Sequence, residues 1–254
     1  MRSMISRCRW VALALVTLAA CGRESGKAAA PASAPRVSRA RIVFLGTSLT
    51  AGLGLDASEA YPSLIQRKID AAGLPFEAVN AGVSGETSAG ALRRIDWLLK
   101  DPPAVLVIET GANDGLRGQD VDSIEANIQA IVDRASALTP KPRVVLLGMR
   151  MLSNYGADYI RRFEAIYPQL ARRNGLPLVP FLLDGVAGVD SLNQPDQIHP
   201  TAAGQRLVAE TVWRTLKPVL EADASRRSAV RESENLRQRG DGGVDLRWGV
   251  VVMG

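Results

Sequence analysis

The chain has 254 residues, enough for one large domain or two small ones, and its 46% hydrophobic and 22% charged side chains are the composition of a globular protein. Its formal charge of +5 sits at the ends: residues 1–40 hold seven basic and one acidic side chain, residues 225–254 hold six and four, and residues 41–224 hold 18 basic against 21 acidic. The body is therefore mildly acidic, which excludes nucleic-acid binding through a basic domain face.

At the start, Arg2, Arg7 and Arg9 precede an apolar stretch of eleven residues, Trp10 to Ala20. That stretch is too short to cross a bilayer and fits the apolar region of an export signal. The junction "LAAC", Leu18 to Cys21, resembles the lipobox of bacterial lipoproteins. The resemblance implies cleavage before Cys21, a lipid on its thiol and, with Gly22 rather than Asp next, sorting to the outer membrane. A soluble periplasmic protein is the alternative. The two cysteines are Cys8 and Cys21. The first would leave with the signal and the second would be acylated, so neither a disulfide nor a cysteine metal site is expected. Residues 22–40, rich in Ala, Pro and Ser, read as a flexible tether. The expected division is a signal peptide over 1–20, a lipid-anchored linker over 21–40, a catalytic domain over 41–223 and a disordered tail over 224–254.

From residue 41 apolar runs alternate with helical patterns. Strands are predicted at 41–46, 75–80, 104–109, 143–148 and 176–180. Ser58 is a candidate cap for a helix ending near Gly73, and Thr87 or Ser88 for one reaching Lys100 before "DPP". Further helices are predicted over 121–138, with Val121, Ile124, Ile128, Ile131 and Val132 on one face, over 157–174 before Gly175, and from Thr201 to Leu220. This alternation predicts a three-layer α/β fold with a parallel, five-stranded, doubly wound sheet of flavodoxin-like order. In such sheets ligands bind beyond the carboxyl ends of the strands.

Ser48, in "GTSLTAG", follows the first strand at that end. A phosphate-binding loop would need a Gly-Lys-Ser/Thr ending, and no such lysine follows Gly46. "GLGLDA", Gly52 to Ala57, matches a dinucleotide pattern but lies too far past the strand. A nucleophile needs a base, an orienting acid and oxyanion donors. The chain has one histidine, His199 in "PDQIHP", and Asp196 is three residues before it. Gly82 follows the second strand and Asn113 the third, where a backbone N–H and an amide could hold an oxyanion. Glu109 ends a strand and is expected to brace the Asn113 loop; Asp114 is expected to shape its turn. The segment Met149 to Gly156 is expected to line the acyl side of the site, with Arg150 facing substrate or bracing the loop.

Four ordered blocks, "GTSLTAG", "NAGVSGETSAG", "GANDGLRG" and "DQIHP", resemble those of the SGNH (GDSL-type) hydrolases, over about residues 41–220. The branch most similar is that of the bacterial thioesterase–arylesterase–lysophospholipases. The resemblance implies Ser48 as nucleophile and Asp196 with His199 as the remaining pair. It also implies an oxyanion hole from the Ser48 N–H, Gly82 and Asn113. The chain would be a serine esterase or thioesterase needing no metal and no other cofactor, acting on small acyl esters. A monomer is expected, because every block lies in one chain. A carbohydrate or peptidoglycan O-acetylesterase uses the same chemistry, and a catalytically silent binding lipoprotein is the reading of another class. One departure stands out: Thr47 occupies the place of the family's usual Asp before the serine, so altered tuning rather than loss is expected.

Overall fold

A computed structural model describes residues 39–240, with side chains to residue 237. The expected signal peptide, Cys21 and most of the linker lie outside the described residues, as do residues 241–254. Among the described residues no helix is long and apolar enough to cross a membrane.

Five strands form one parallel sheet: β1 (Ala40–Gly46), β2 (Phe76–Gly82), β3 (Val105–Ile108), β4 (Arg143–Leu147) and β5 (Leu178–Val179), in the order β2-β1-β3-β4-β5. The interior strands are continuous apolar runs because both their faces are covered. Ile42 to Leu45 and Val105 to Ile108 are fully buried. The edge strand β2 instead exposes Glu77 and Asn80. It runs two residues past the predicted Asn80, because Gly82 pairs with Gly46. At the other edge β5 keeps only two paired residues of the predicted five.

Among the described residues seven α-helices complete the fold: α1 (Ser48–Ala51), α2 (Tyr61–Ala71), α3 (Ser88–Leu98), α4 (Ala112–Leu116), α5 (Val121–Ser136), α6 (Ala157–Asn174) and α7 (Ala202–Gly240). α2 and α7 pack together on one face of the sheet, and α3, α5 and α6 follow one another across the other. This is what right-handed crossovers require once the chain steps from β1 to β2 and then back past β1 to β3. The Thr87 hydroxyl caps α3 by accepting from the Gly90 N–H at 3.2 Å. Ser58 does not cap α2. It lies in a short 3₁₀ turn, Ala57–Glu59, where Asp56 and Glu59 form the capping box and Pro62 opens the helix.

The last helix corrects the expected disordered tail as far as Gly240. α7 continues 20 residues past Leu220. The buried Asp223 carboxylate accepts from Arg226 at 2.5 Å and from Arg227, pairs one helical turn apart. Beyond them Ala, Arg, Glu and Leu are good helix formers that sustain a helix without an apolar stripe.

Candidate active site

The sheet order reverses between β1 and β3, opening a crevice at their carboxyl ends. Ser48 emerges from β1 through Thr47 and starts the single-turn helix α1. Its Oγ lies 2.8 Å from His199 Nε2, across 151 residues of sequence. On the far side of the ring, His199 Nδ1 lies 2.6 Å from Asp196 Oδ2. A carboxylate accepts only, so Nδ1 carries the hydrogen and Nε2 is left to accept from the serine O–H. Ser48, Asp196 and His199 are thus brought together as the sequence spacing predicts.

The turn carrying the last two is tightly specified. Asp196 Oδ1 accepts from the backbone N–H of both Ile198 and His199, each at 3.0 Å. These N–H groups, the His199 N–H first and its ring next, hold the Asp196 carboxyl down to about 2, although the side chain is 46% exposed. To bend back this sharply the chain puts Gln197 at φ 59°, a left-handed conformation unusual for a side-chain-bearing residue. The Gln194 N–H closes the loop on the His199 carbonyl at 2.7 Å.

Beneath the nucleophile lies a group the sequence reading places elsewhere. Glu109, fully buried at the end of β3, does not brace the Asn113 loop. It accepts from the Thr47 N–H at 2.7 Å, from the Thr47 hydroxyl 3.0 Å from both its oxygens, and from the Thr50 hydroxyl at 2.9 Å. The Tyr61 hydroxyl lies 2.8 Å from the Thr50 hydroxyl and completes the network. Burial pushes the Glu109 carboxyl above the usual carboxylate range, and the Thr47 and Thr50 donors oppose the shift. Thr47, the one departure from the block pattern that the sequence resembles, is therefore a donor to a buried carboxyl. An aspartate there would face Glu109 as a second acid.

The residues expected to donate to an oxyanion sort differently from the expectation. The Gly82 N–H is already donated to Asn80 Oδ1, at 3.0 Å. What Gly82 provides is close approach: a Cβ there would stand 2.3 Å from the Ala51 nitrogen and 2.8 Å from the Thr47 carbonyl, displacing α1. Gly85 differs. It sits at φ +77° in the turn closed by the Glu86 N–H on the Val83 carbonyl, and its own N–H has no partner among the described residues. Asn113 reaches this turn, donating one amide hydrogen to the Glu86 carbonyl at 3.0 Å and keeping the other. The turn is clamped by Arg94, which pairs with Glu86 at 2.6 Å and donates to the Ala81 carbonyl at 2.8 Å. Ser48 N–H, in the first turn of α1, has no carbonyl partner there. Asp114 does not merely shape its own turn. Fully buried, it accepts from the Ser88 hydroxyl at 2.6 Å and the Ser88 N–H at 2.8 Å, tying α4 to α3. Gly85 carried one signal in the sequence, a second glycine three residues after Gly82, but no local rule separates the two.

Ser48, Asn113 and His199 open onto a cleft of about 550 Å³. Its walls are mainly apolar, with Leu116, Met149, Met151, Leu152, Leu183 and Ile198; of the expected Met149–Gly156 segment, Met149 to Leu152 line it and residues 153–156 do not. Arg150 stands at its rim. Tyr155 holds this wall to α4, its hydroxyl donating to the Leu116 carbonyl at 2.6 Å.

The same residues place the chain among known proteins. It is 42% identical over 180 residues to esterase TesA of Pseudomonas aeruginosa, covering 70% of this chain and 89% of that one. To thioesterase 1/protease 1/lysophospholipase L1 of Escherichia coli K12 it is 35% identical over 184 residues, 72% of this chain and 86% of the relative. A crystal structure of TesA superimposes with a TM-score of 0.67 at 40% identity, covering 70% of this chain and 99% of that one. Residues 44–207 match the description of a single family, and that span holds every group of the cleft described above: the chain belongs to the GDSL-like lipase/acylhydrolase family.

Proposed function

We propose that the chain is a serine esterase that hydrolyses acyl esters or thioesters through an acyl-enzyme, with Ser48, His199 and Asp196 as its triad. The observation carrying this reading is the continuous hydrogen-bonded line from Ser48 Oγ through the imidazole to the Asp196 carboxylate. His199 Nε2 takes the serine proton as Oγ attacks the carbonyl carbon, and Asp196 stabilises the imidazolium that forms. The carbonyl oxygen becomes an oxyanion held by the N–H groups of Ser48 and Gly85 and the free amide hydrogen of Asn113. His199 returns the proton to the leaving alcohol or thiol. Water then repeats the two steps on the acyl-enzyme and frees the acid. The apolar cleft suits an acyl chain longer than acetyl, which favours acyl esters over sugar acetates.

The test is hydrolysis of p-nitrophenyl esters from acetate to palmitate by the full chain and by Ser48→Ala. Turnover lost in the variant, with an optimum above acetate, is the expected result. An optimum at acetate would favour the O-acetylesterase, and no turnover by the parent chain would favour a silent binding protein.

The basic and apolar N-terminus and the "LAAC" junction support export and a lipid on Cys21. Metabolic labelling with palmitate checks this. Label lost in Cys21→Ala is expected, and equal label in both proteins would remove the anchor.

A further inference from the structure

A groove of about 420 Å³ lies at the ends of the strands opposite the cleft. The late turns of α7 form one bank of it. Pro218 and Val219 of α7 first line a cavity with Arg143 and Leu176, near the starts of β4 and β5. Arg226, Arg227, Val230 and Arg231 then line the groove with Ala40 and Pro75, near the starts of β1 and β2. The helix thus crosses the pole, and it does so while burying few of its own side chains there. Arg39 forms the other bank, and among the described residues no acid lines the groove. Carboxylates behind it cancel part of the charge: Arg39 pairs with Asp70, and Arg226 and Arg227 share the buried Asp223. Arg231 is exposed and has no ion pair among the described residues. The groove therefore keeps a positive balance on a body that is mildly acidic. Among these cations stands an apolar side chain, Val230, 49% exposed.

Chemistry at Ser48 uses none of these groups. Guanidinium forks without a competing acid fit an anion, phosphate oxygens above all. Val230 selects among the anions. Its isopropyl group gains nothing from a phosphate in water, but at the headgroup layer of a bilayer it moves out of water while the arginines meet the phosphates. Position points the same way. The chain enters the domain in this groove at Arg39, with Arg23, Lys27 and Arg36 before it and Cys21 eighteen residues upstream. We propose that this groove docks the domain on an anionic phospholipid bilayer, with headgroup phosphates between Arg39 and Arg231 and Val230 at the acyl boundary. The lipid held here is a surface and not a substrate, so the docking is independent of the esterase reading.

The experiment uses the full-length chain carrying Cys21→Ala, so that a lipid on that thiol plays no part. Co-sedimentation measures its partition onto vesicles of phosphatidylcholine with about one-third phosphatidylglycerol, and onto phosphatidylcholine alone. The ratio of the two cancels any insertion of the apolar N-terminal stretch. The variants are Arg39→Gln, Arg231→Gln, their double, Val230→Ser, and a charge-matched pair, Arg93→Gln with Arg206→Gln, two exposed arginines outside the groove. The expected result is a ratio that falls about three- to fivefold for each groove arginine removed and falls with added salt. Partition onto the anionic vesicles should also weaken in Val230→Ser, which removes no charge. Equal Tm values show that the variants are folded, and Arg231→Gln, with no ion pair to lose, keeps the test open if Arg39→Gln is destabilised. A ratio unchanged in Arg231→Gln and in the double variant overturns the docking groove. An equal fall in the charge-matched pair overturns it too, in favour of net charge alone. Loss with the arginines but not with Val230→Ser overturns the bilayer as occupant and leaves a soluble anion.

Discussion

Replacing Thr47 by Val removes one hydroxyl from beneath the nucleophile and keeps its volume. In the parent chain that hydroxyl stands 3.0 Å from both oxygens of the fully buried Glu109. The variant leaves the carboxyl with the Thr47 N–H at 2.7 Å and the Thr50 hydroxyl at 2.9 Å. Losing a hydrogen bond to a charged buried group costs about 1.5–3 kcal/mol. For a domain of this size each kcal/mol lowers Tm by about 2–4 °C, so the variant should melt about 3–12 °C lower near pH 8. The size of the loss should depend on pH, in a direction fixed by the shift of Glu109. Its folded carboxyl titrates above the unfolded value of about 4.3, so its favourable contribution is complete below that pH and is lost as pH rises through the folded value. Val at 47 withdraws a donor that favours the carboxylate and so raises the folded value further. The gap in Tm between parent and variant should therefore be small near pH 4 and widen upward. The assay is thermal denaturation of both full-length chains from pH 4 to pH 9. A gap that is constant across this range, or absent near pH 8, would show that the hydroxyl does not support an ionisable Glu109.

Asp196→Asn keeps acceptors for the Ile198 and His199 N–H groups but cannot fix the ring tautomer; kcat should fall on the order of 10³–10⁴, with the fold unchanged by circular dichroism. Because the Asp196 carboxyl is held down to about 2, it stays ionised through mild acid, and the stability it adds is lost only as pH falls towards that value. Asp196 should therefore set no limb of the rate profile between pH 5 and 9. Asn113→Ala should lower kcat about 10²–10³-fold by removing an oxyanion donor, read in steady-state kinetics against Tm. Gly82→Ala should cost both stability, about 1–3 kcal/mol, and rate, since its methyl would enter α1. An active, fully stable Gly82→Ala chain would contradict the close packing described.

Most of the sheet was legible because its interior strands are buried on both faces and so read as unbroken apolar runs. The bounds of α6 were legible from the Gly175 that stops it, and those of α3 from Thr87. What failed to show locally depends on distant partners. Glu109 meets Thr47 only through the register that sets Leu45 beside Ile108. Gly82 and Gly85 look alike in "NAGVSGE"; what tells them apart is that Gly82 ends β2 with its N–H taken by the Asn80 side chain, while Gly85 turns in the left-handed region. The reach of α7 was hidden because its later turns bury little, so intrinsic propensity and the Asp223 pairs extend it rather than an apolar period. The triad itself was legible for a simpler reason: with one histidine in the chain, only one imidazole could serve.

Parallel strands give the domain two unlike poles. Chain entry at Arg39 and Ala40 lies in one groove with Arg226, Arg227 and Arg231 of the late α7. Ala40 opens β1 and Ser48 follows its other end, a separation of about 20 Å at roughly 3.3 Å per residue. The start of β1 and the Arg226–Arg231 turns of α7 thus share the pole opposite the cleft. An enzyme held on a bead through this pole keeps its mouth turned outward.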